Sequence, residues 1–378
     1  MKRIGFIVNP VAGIGGRVGL KGSDGAETLK RALELGGVLE SGEKALIAMR
    51  VLRAGEELAE IYTCPGDMGE SVCRAAGLNC KVIDGIETYD KGAGTATSPE
   101  DTARAAKMFC GLGVDLILFA GGDGTARDIL DAVGESAAVL GIPAGCKIHS
   151  GVFALNPRRA GELALRYMQG KVRRTKEAEV MDIDEEQFRR GRVQSRLYGY
   201  LKIPDDVRLV QNLKSGSRVG GQDGAEGLSA YMADIWESDV LYIIGGGSTT
   251  AHIMNQMHLP GTLLGVDLVY GGRVIGADCT EREILKAVSE YGKAKILVTV
   301  IGGQGYIFGR GNQQISAEVI RRVGRENIIV AAAEEKMLAL FGKTLYADTG
   351  DEEVNRYLAG YMRVITGYGQ YAVMKVSD

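Results

Sequence analysis

The chain has 378 residues, with 45 Lys plus Arg against 48 Asp plus Glu and 45% hydrophobic residues, a balance that excludes a disordered or fibrous protein and suits a soluble one of about two domains. The net charge of −3 provides no basic field to hold a polyanion, so nucleic acid is not an expected partner. Glycine is the unusual residue, at 55 of 378, about twice its average usage and without a repeat, which points to many loops where backbone passes close to a ligand or a neighbouring strand.

In chain order, the apolar runs IGFIV (4–8), EIYTC (60–64), KVID (81–84), DLILFA (115–120) and AAVLGIP (137–143) read as strands. Between them SPEDTARAAKMFCGLG (98–113) reads as a helix, with Ser98 to cap it, Pro99 at its first position and Gly111 and Gly113 at its exit. Strand and helix in alternation predict βαβ units, hence a Rossmann-like parallel sheet over residues 1–175 that binds ligands beyond the carboxyl ends of its strands. The helical run RRAGELALRYMQG (158–170) closes that domain.

The remainder, 176–378, reads as a second domain, mixed or β-rich. Its strand candidates are AEVMDID (178–184), RVQSRLYGYLKIP (192–204), VLYIIGG (240–246), TLLGVDLVY (262–270), KILVTVI (295–301), NIIVAAA (327–333) and YAVMKV (371–376), with a helix over AEGLSAYMADIW (225–236). The last strand can pair with either domain, and the active site is expected in the cleft between the two. Six cysteines without a C-x-x-C pattern, a start that lacks the long apolar stretch of a signal peptide, and no run near the ~18–20 apolar residues of a membrane span together predict a reduced, cytoplasmic protein with no membrane partner.

The strongest local signal is DLILFAGGDGTARDIL (115–130), an apolar strand that runs through Gly121-Gly122-Asp123-Gly124-Thr125 into a helix. Such a hinge lets backbone N–H groups and a helix N-terminus meet an anion, and it presents Asp123 where a ligand would sit, to take a hydroxyl proton or hold Mg²⁺. The plainer alternative is an Asp-Gly turn that caps the helix. The same design recurs at Gly245-Gly246-Gly247-Ser248-Thr249-Thr250 after VLYII, where the hydroxyls either cap the helix or bind ribose or phosphate. Arg17, in the early glycine loop, and Lys147, in GIPAGCKIHSGVFALNP (141–157), are candidates to neutralise phosphate, although a loop cation is more often simply solvated.

Weaker candidates complete the set. IGGQGYIFGRGNQQIS (301–316) gathers Arg310, Asn312, Gln313 and Gln314, suited to a sugar or base edge or else to a turn that ends in a helix cap at Ser316. His149 lies beside Lys147 and Ser150, to position substrate or merely to satisfy its loop. His252 and His258 are not spaced as a zinc pair, and Asp267 and Asp278 are possible strand-end ligands that no spacing rule selects. Neither G-x-x-x-x-G-K-[ST] nor G-x-G-x-x-G occurs, which excludes a P-loop kinase and removes the main support for a standard dinucleotide dehydrogenase.

GGDGT after a strand resembles the signature of the superfamily of NAD kinases, diacylglycerol kinases and sphingosine kinases. IVNPVAGIGG (7–16) is similar to its first loop, GIPAGCKIHSGVFALNP to its second, and GGGSTTAH (245–252) to the Ser-Thr segment of NAD kinases. The whole is most similar to the ATP-NAD kinase-like branch that includes AcoX-type proteins. The resemblance implies a Mg²⁺-dependent phosphotransferase that moves a phosphoryl group from ATP or polyphosphate to a hydroxyl of a soluble acceptor, NAD (ribose 2′-OH) being the first guess, in a homo-oligomer; the alternatives are a non-catalytic nucleotide-binding regulatory protein and a kinase of another small polyol or lipid. It implies Asp123 as the central catalytic group, and Asn9, Gly13, Arg17, Gly121, Gly122, Gly124, Thr125, Lys147, Gly247, Ser248, Thr249 and Thr250 as nucleotide contacts. One departure stands out. No Asn-Glu pair, which reads adenine in NAD kinases, occurs between residues 157 and 245, and the nearest pair by position is Gln222-Asp223.

Overall fold

The computed structural model describes residues 1–20, 26–86, 97–146, 148–183, 195–206, 209–210, 222–301, 304–333, 336–337, 340 and 344–377. The chain divides into two compact units, residues 1–14 with 22–213 and residues 15–21 with 214–378.

In the first unit the described elements run β1 (Lys2–Val8), α1 (Ala26–Glu34), α2 (Ser41–Leu52), β2 (Ala59–Thr63), α3 (Glu70–Ala76), β3 (Lys81–Val82), α4 (Pro99–Gly111), β4 (Leu116–Gly121), α5 (Asp123–Val133), β5 (Ala138–Pro143), α6 (Pro157–Met168), β6 (Thr175–Ile183) and β7 (Ser195–Pro204). Five strands form a sheet of order β3-β2-β1-β4-β5, and every pair in it is parallel. Every residue of β4 and of β5 is buried. Their sequences are accordingly unbroken apolar runs rather than alternating ones, as strands covered on both faces require. Helix α2 packs on α6 and α4 on α5. The expected cap of α4 is present as a capping box between Ser98 and Asp101, and Asn156 caps α6 by accepting the Arg159 N–H at 2.8 Å.

Strand order reverses between β1 and β4, and the carboxyl end of the sheet at such a reversal is where α/β folds take their ligands. After β5 the chain turns out and returns along the same strand, the Gly141 N–H donating to Val152 O at 2.9 Å and Ala154 N to Gly141 O at 3.0 Å. Gly141 permits this because Phe153 occupies the place of its missing side chain, with a ring atom 2.3 Å from where a Cβ would stand. The described part of the excursion, residues 144–146 and 148–150, is thereby held over the ends of β4 and β5.

The units divide near residue 214 rather than at 175. The antiparallel β6–β7 hairpin packs on β5 and α5, so it extends the first unit instead of opening the second.

The second unit contains α7 (Gln222–Asp234), β8 (Leu241–Ile244), α8 (Ser248–Gln256), β9 (Asp267–Tyr270), β10 (Arg273–Gly276), α9 (Glu281–Tyr291), β11 (Ala294–Thr299), β12 (Tyr306–Phe308), α10 (Ala317–Val323), β13 (Ile328–Ala331), β14 (Leu345–Ala347), α11 (Glu352–Leu358), β15 (Gly360–Gly367) and β16 (Gln370–Ser377). Among the described residues its strands form one mixed sheet, β10-β9-β8-β11-β13-β15-β16-β14-β12. The last strand pairs within this sheet, antiparallel to β15 and parallel to β14. Its core gathers residues from β8, β11, β12 and β13 with Ile284, Val319 and Leu358 from the helices. No described helix is long and apolar enough to cross a membrane.

Candidate active site

In the first unit three segments far apart in sequence meet at the carboxyl end of the sheet. Asn9, just past β1, donates its backbone N–H to Ala120 O at 2.9 Å and its side-chain amide to Thr125 Oγ1 at 3.1 Å. Gly13 has φ +82, and a Cβ there would lie 2.2 Å from Ala144 O, so only glycine lets the first loop approach the second so closely. Cys146 Sγ bonds Gly13 O at 3.4 Å. Ala144 and Gly145 donate their N–H groups to Gly121 O at 2.9 and 3.0 Å.

These contacts revise the reading of the glycines. At Gly121 a Cβ would stand 2.4 Å from Thr125 Oγ1, so its missing side chain makes room for the threonine of the same turn rather than for a ligand. Gly122 is the residue preceding α5, and no side chain caps that helix. The first backbone N–H groups of α5 therefore have no side-chain acceptor, the condition under which a helix start attracts an anion.

Asp123 does not cap its helix, and it does not face an open crevice as expected. It is the first residue of α5 and 5% exposed. Its Oδ1 accepts from Ser150 N at 2.9 Å and Ser150 Oγ at 2.7 Å, and its Oδ2 from His149 N at 2.7 Å and His149 Nδ1 at 3.1 Å. Ser150 is anchored in turn by Met181, whose N–H donates to Ser150 Oγ at 3.0 Å. The physical cause is the excursion after β5, which brings two consecutive N–H groups and two side chains to the carboxylate. Both oxygens are filled by donors, which leaves no free edge for a metal ion. Among the described residues no group of three or more His, Cys, Asp or Glu is placed to hold one. What stands on the outer side of Asp123 is the His149 ring, whose side chain is 32% exposed. A cavity of about 290 Å³ in the same unit, lined by Pro10, Glu43, Leu46, Asp67 and Val72 among others, includes none of these groups.

The second hinge lies in the other unit. Gly247 precedes α8 with φ +152, and a Cβ there would meet Thr299 Cγ2 at 2.4 Å. Again no side chain caps the helix. Thr250 turns its hydroxyl back onto Gly245 O at 2.7 Å and Gly247 O at 2.9 Å, while Ser248 is exposed. The capping alternative for these hydroxyls is therefore not what the fold uses. Thr249 is buried and accepts from Lys336 Nζ at 2.8 Å, and the same ammonium reaches Thr299 Oγ1 at 3.4 Å. Burial pushes Lys336 down from its ordinary 10.5 to about 8. Sequence reading missed this lysine, because nothing in AAAEEKMLAL marks it as the cation that meets a hinge 87 residues earlier.

The remaining candidates separate from these clusters. Arg17 belongs to the second unit, its carbonyl accepting the Glu281 N–H at 3.1 Å. Lys147 lies outside the described residues; Gln222 and Asp223 begin α7. Arg310, Asn312 and Gln314 are buried. Asn312 accepts the Gly309 N–H and donates to Ile307 O, both at 2.9 Å, Arg310 stacks on the Tyr306 ring, and Ser316 caps α10. Asn312 and Ser316 thus serve the turn and the helix cap of that segment. Asp267 likewise pins its own loop, accepting from Thr262 Oγ1 at 2.8 Å and Asp278 N at 2.9 Å.

A parallel sheet with a strand-order reversal and a second unit built on a mixed sheet, each with a glycine hinge from strand to uncapped helix, define a two-domain α/β enzyme class. The sequence matches the ATP-NAD kinase N-terminal domain over residues 4–172 and the ATP-NAD kinase C-terminal domain over residues 237–376. The chain belongs to the ATP-NAD kinase family and is a kinase, a transferase that acts on an alcohol group. Compared one by one with curated proteins, it matches none.

Proposed function

We propose that the protein transfers a phosphoryl group from ATP or polyphosphate to a hydroxyl of a soluble acceptor, with the 2′-hydroxyl of the NAD ribose the first acceptor to test. The observation that supports this reading best is the convergence of Asn9, Gly13, Gly121–Thr125, Ala144, His149 and Ser150 around one buried carboxylate at the strand-order reversal, where α/β sheets take their ligands. Phosphoryl transfer demands little covalent chemistry of a protein, and positioning with electrostatic stabilisation supplies most of the rate. The start of α5, Gly122, Asp123, Gly124 and Thr125, offers N–H donors to phosphate oxygens in the first unit. In the second, the turn Gly247, Ser248, Thr249 and Thr250 offers an uncapped helix start and the exposed Ser248 hydroxyl, with Lys336 as a cation behind Thr249.

Mg²⁺ carried in with the donor would neutralise its phosphates; among the described residues no group of three or more His, Cys, Asp or Glu is placed to hold the ion. Arg17 and Lys147 are further candidates for phosphate charge. The missing Asn-Glu pair favours extending the assay beyond NAD to other soluble hydroxyl compounds. Incubation with ATP or polyphosphate and that panel, with products resolved by mass, is expected to yield a phosphorylated acceptor. Saturable nucleotide binding without any product would instead make the protein a nucleotide sensor.

A further inference from the structure

We propose that the imidazole of His149 takes the proton of the acceptor hydroxyl, with Asp123 acting through it as a positioning residue. The assignment rests on the phosphotransfer reading above. A base must come within about 2.6–3.2 Å of the hydroxyl it deprotonates, directly or through one water. Asp123 has no room for that partner: it is 5% exposed, and four donors at 2.7–3.1 Å fill its two oxygens. The His149 ring, 32% exposed, is the titratable group that stands between this carboxylate and solvent.

The carboxylate also decides the tautomer. An ionised carboxyl group accepts only, so Nδ1 facing Oδ2 at 3.1 Å carries a hydrogen, and in the neutral ring the lone pair then lies on Nε2. The backbone adds rigidity, because the His149 and Ser150 N–H groups are bound to the same carboxylate and Met181 holds Ser150 from behind. The ring is thus fixed at its root and open at its tip, the arrangement that orients a histidine base. Charged groups on the packed elements are Asp123, Arg127, Asp128 and Asp131 on α5 and Lys176, Glu177, Glu179 and Asp182 on β6. Arg127 and Asp182 pair with each other at 3.1 Å.

In the step itself the acceptor oxygen bonds the terminal phosphorus of the donor. Its proton passes to Nε2, and the bond from that phosphorus to the leaving oxygen breaks with its electron pair on the departing phosphate. The imidazolium then returns the proton to solvent.

The test measures kcat and KM against pH for the wild type, His149→Ala and His149→Gln, with ATP or polyphosphate and the acceptor panel headed by NAD, and with thermal melting as the check of folding. Both variants keep the backbone N–H bonds to Asp123, and the glutamine also retains a side-chain amide able to donate. We expect kcat to fall by about 10²–10⁴ in both, the acid limb of the pH profile to flatten, KM to change little, and added imidazole to restore part of the His149→Ala rate. Folded variants with wild-type kcat and an unchanged profile overturn the assignment and leave the phosphotransfer reading intact. A wild type that phosphorylates no acceptor from either donor overturns that reading and this assignment together.

Discussion

A carboxylate with every lone-pair direction occupied is a structural device, and Asp123 shows what that means for a single substitution. In Asp123→Asn one of the two oxygens becomes an NH₂ that faces the N–H groups of His149 or Ser150, donor against donor. Leaving buried donors unmatched costs about 1–3 kcal/mol each, enough to lower the denaturation midpoint without unfolding a domain of this size. The amide can also donate to His149 Nδ1 and so favour the tautomer whose Nε2 is protonated, which would lower turnover by about two to four powers of ten. Turnover unchanged in a folded Asp123→Asn protein would remove the carboxylate from the reaction.

Lys336 makes a prediction of opposite sign for pH. Its folded value of about 8 lies below the ordinary 10.5, so the native state resists the charged form. Below pH 8 both states bind the proton and the native protein carries the whole penalty; between 8 and 10.5 the unfolded chain alone stays protonated, and stability rises; above 10.5 the penalty is gone. The rise amounts to about 3 kcal/mol at most. Denaturation of wild type and Lys336→Met across this range isolates it: the difference between the two proteins should change in favour of the wild type as pH rises. A difference independent of pH would contradict the burial argument. At this scale the sequence marked Asp123 and the two hinges through their glycines, but it could not reveal His149 as Asp123's outer partner, since 26 residues and an entire strand separate them.

Elements were legible where burial was two-sided or a cap was chemically explicit. Strands β1, β4 and β5 announce themselves as apolar runs, β2 by an alternation of buried and half-buried residues, and α4 by its Ser98 and Pro99 start. The run TLLGVDLVY misled, because its first half is bent into a loop by the Asp267 carboxylate and strand geometry begins at Asp267 itself. Short elements such as β12 and β14, of three residues each, owe their pairing to neighbours distant in sequence, whereas the alternating edge strand β10 pairs with β9 just before it. Helix packing supplies a test as well. Gly161 sits inside α6, where alanine would ordinarily gain about 0.5–1 kcal/mol. Here a Cβ would stand 2.3 Å from the Ala48 carbonyl oxygen and 2.8 Å from Val51 Cβ on α2. Backbone cannot yield as a side chain does, and overpacking of this kind costs about 1–3 kcal/mol, so the clash outweighs propensity. Gly161→Ala should therefore lower the denaturant midpoint, whereas a raised midpoint would show that α2 and α6 are not in close contact.

For the whole molecule, alternation of strand and helix carried the Rossmann-like first unit, and the scattered later strands carried a mixed second one, but the point of division was hidden. A hairpin of β-type residues after a completed α/β run reads as the start of something new, and only its packing on β5 and α5 returns it to the first unit. The two family matches, which leave residues 173–236 between them, span both units and make the chain a kinase of the NAD-kinase type. The measurement that tests the account most directly is the mass-resolved transfer of the terminal phosphoryl group, from ATP or polyphosphate to NAD and the other hydroxyl acceptors, by wild type and Asp123→Asn side by side. A phosphorylated acceptor formed by the wild type and reduced by at least about a hundredfold in the variant is the result expected. Equal product from both would contradict a reaction organised around that carboxylate, and no product from either would contradict phosphotransfer itself.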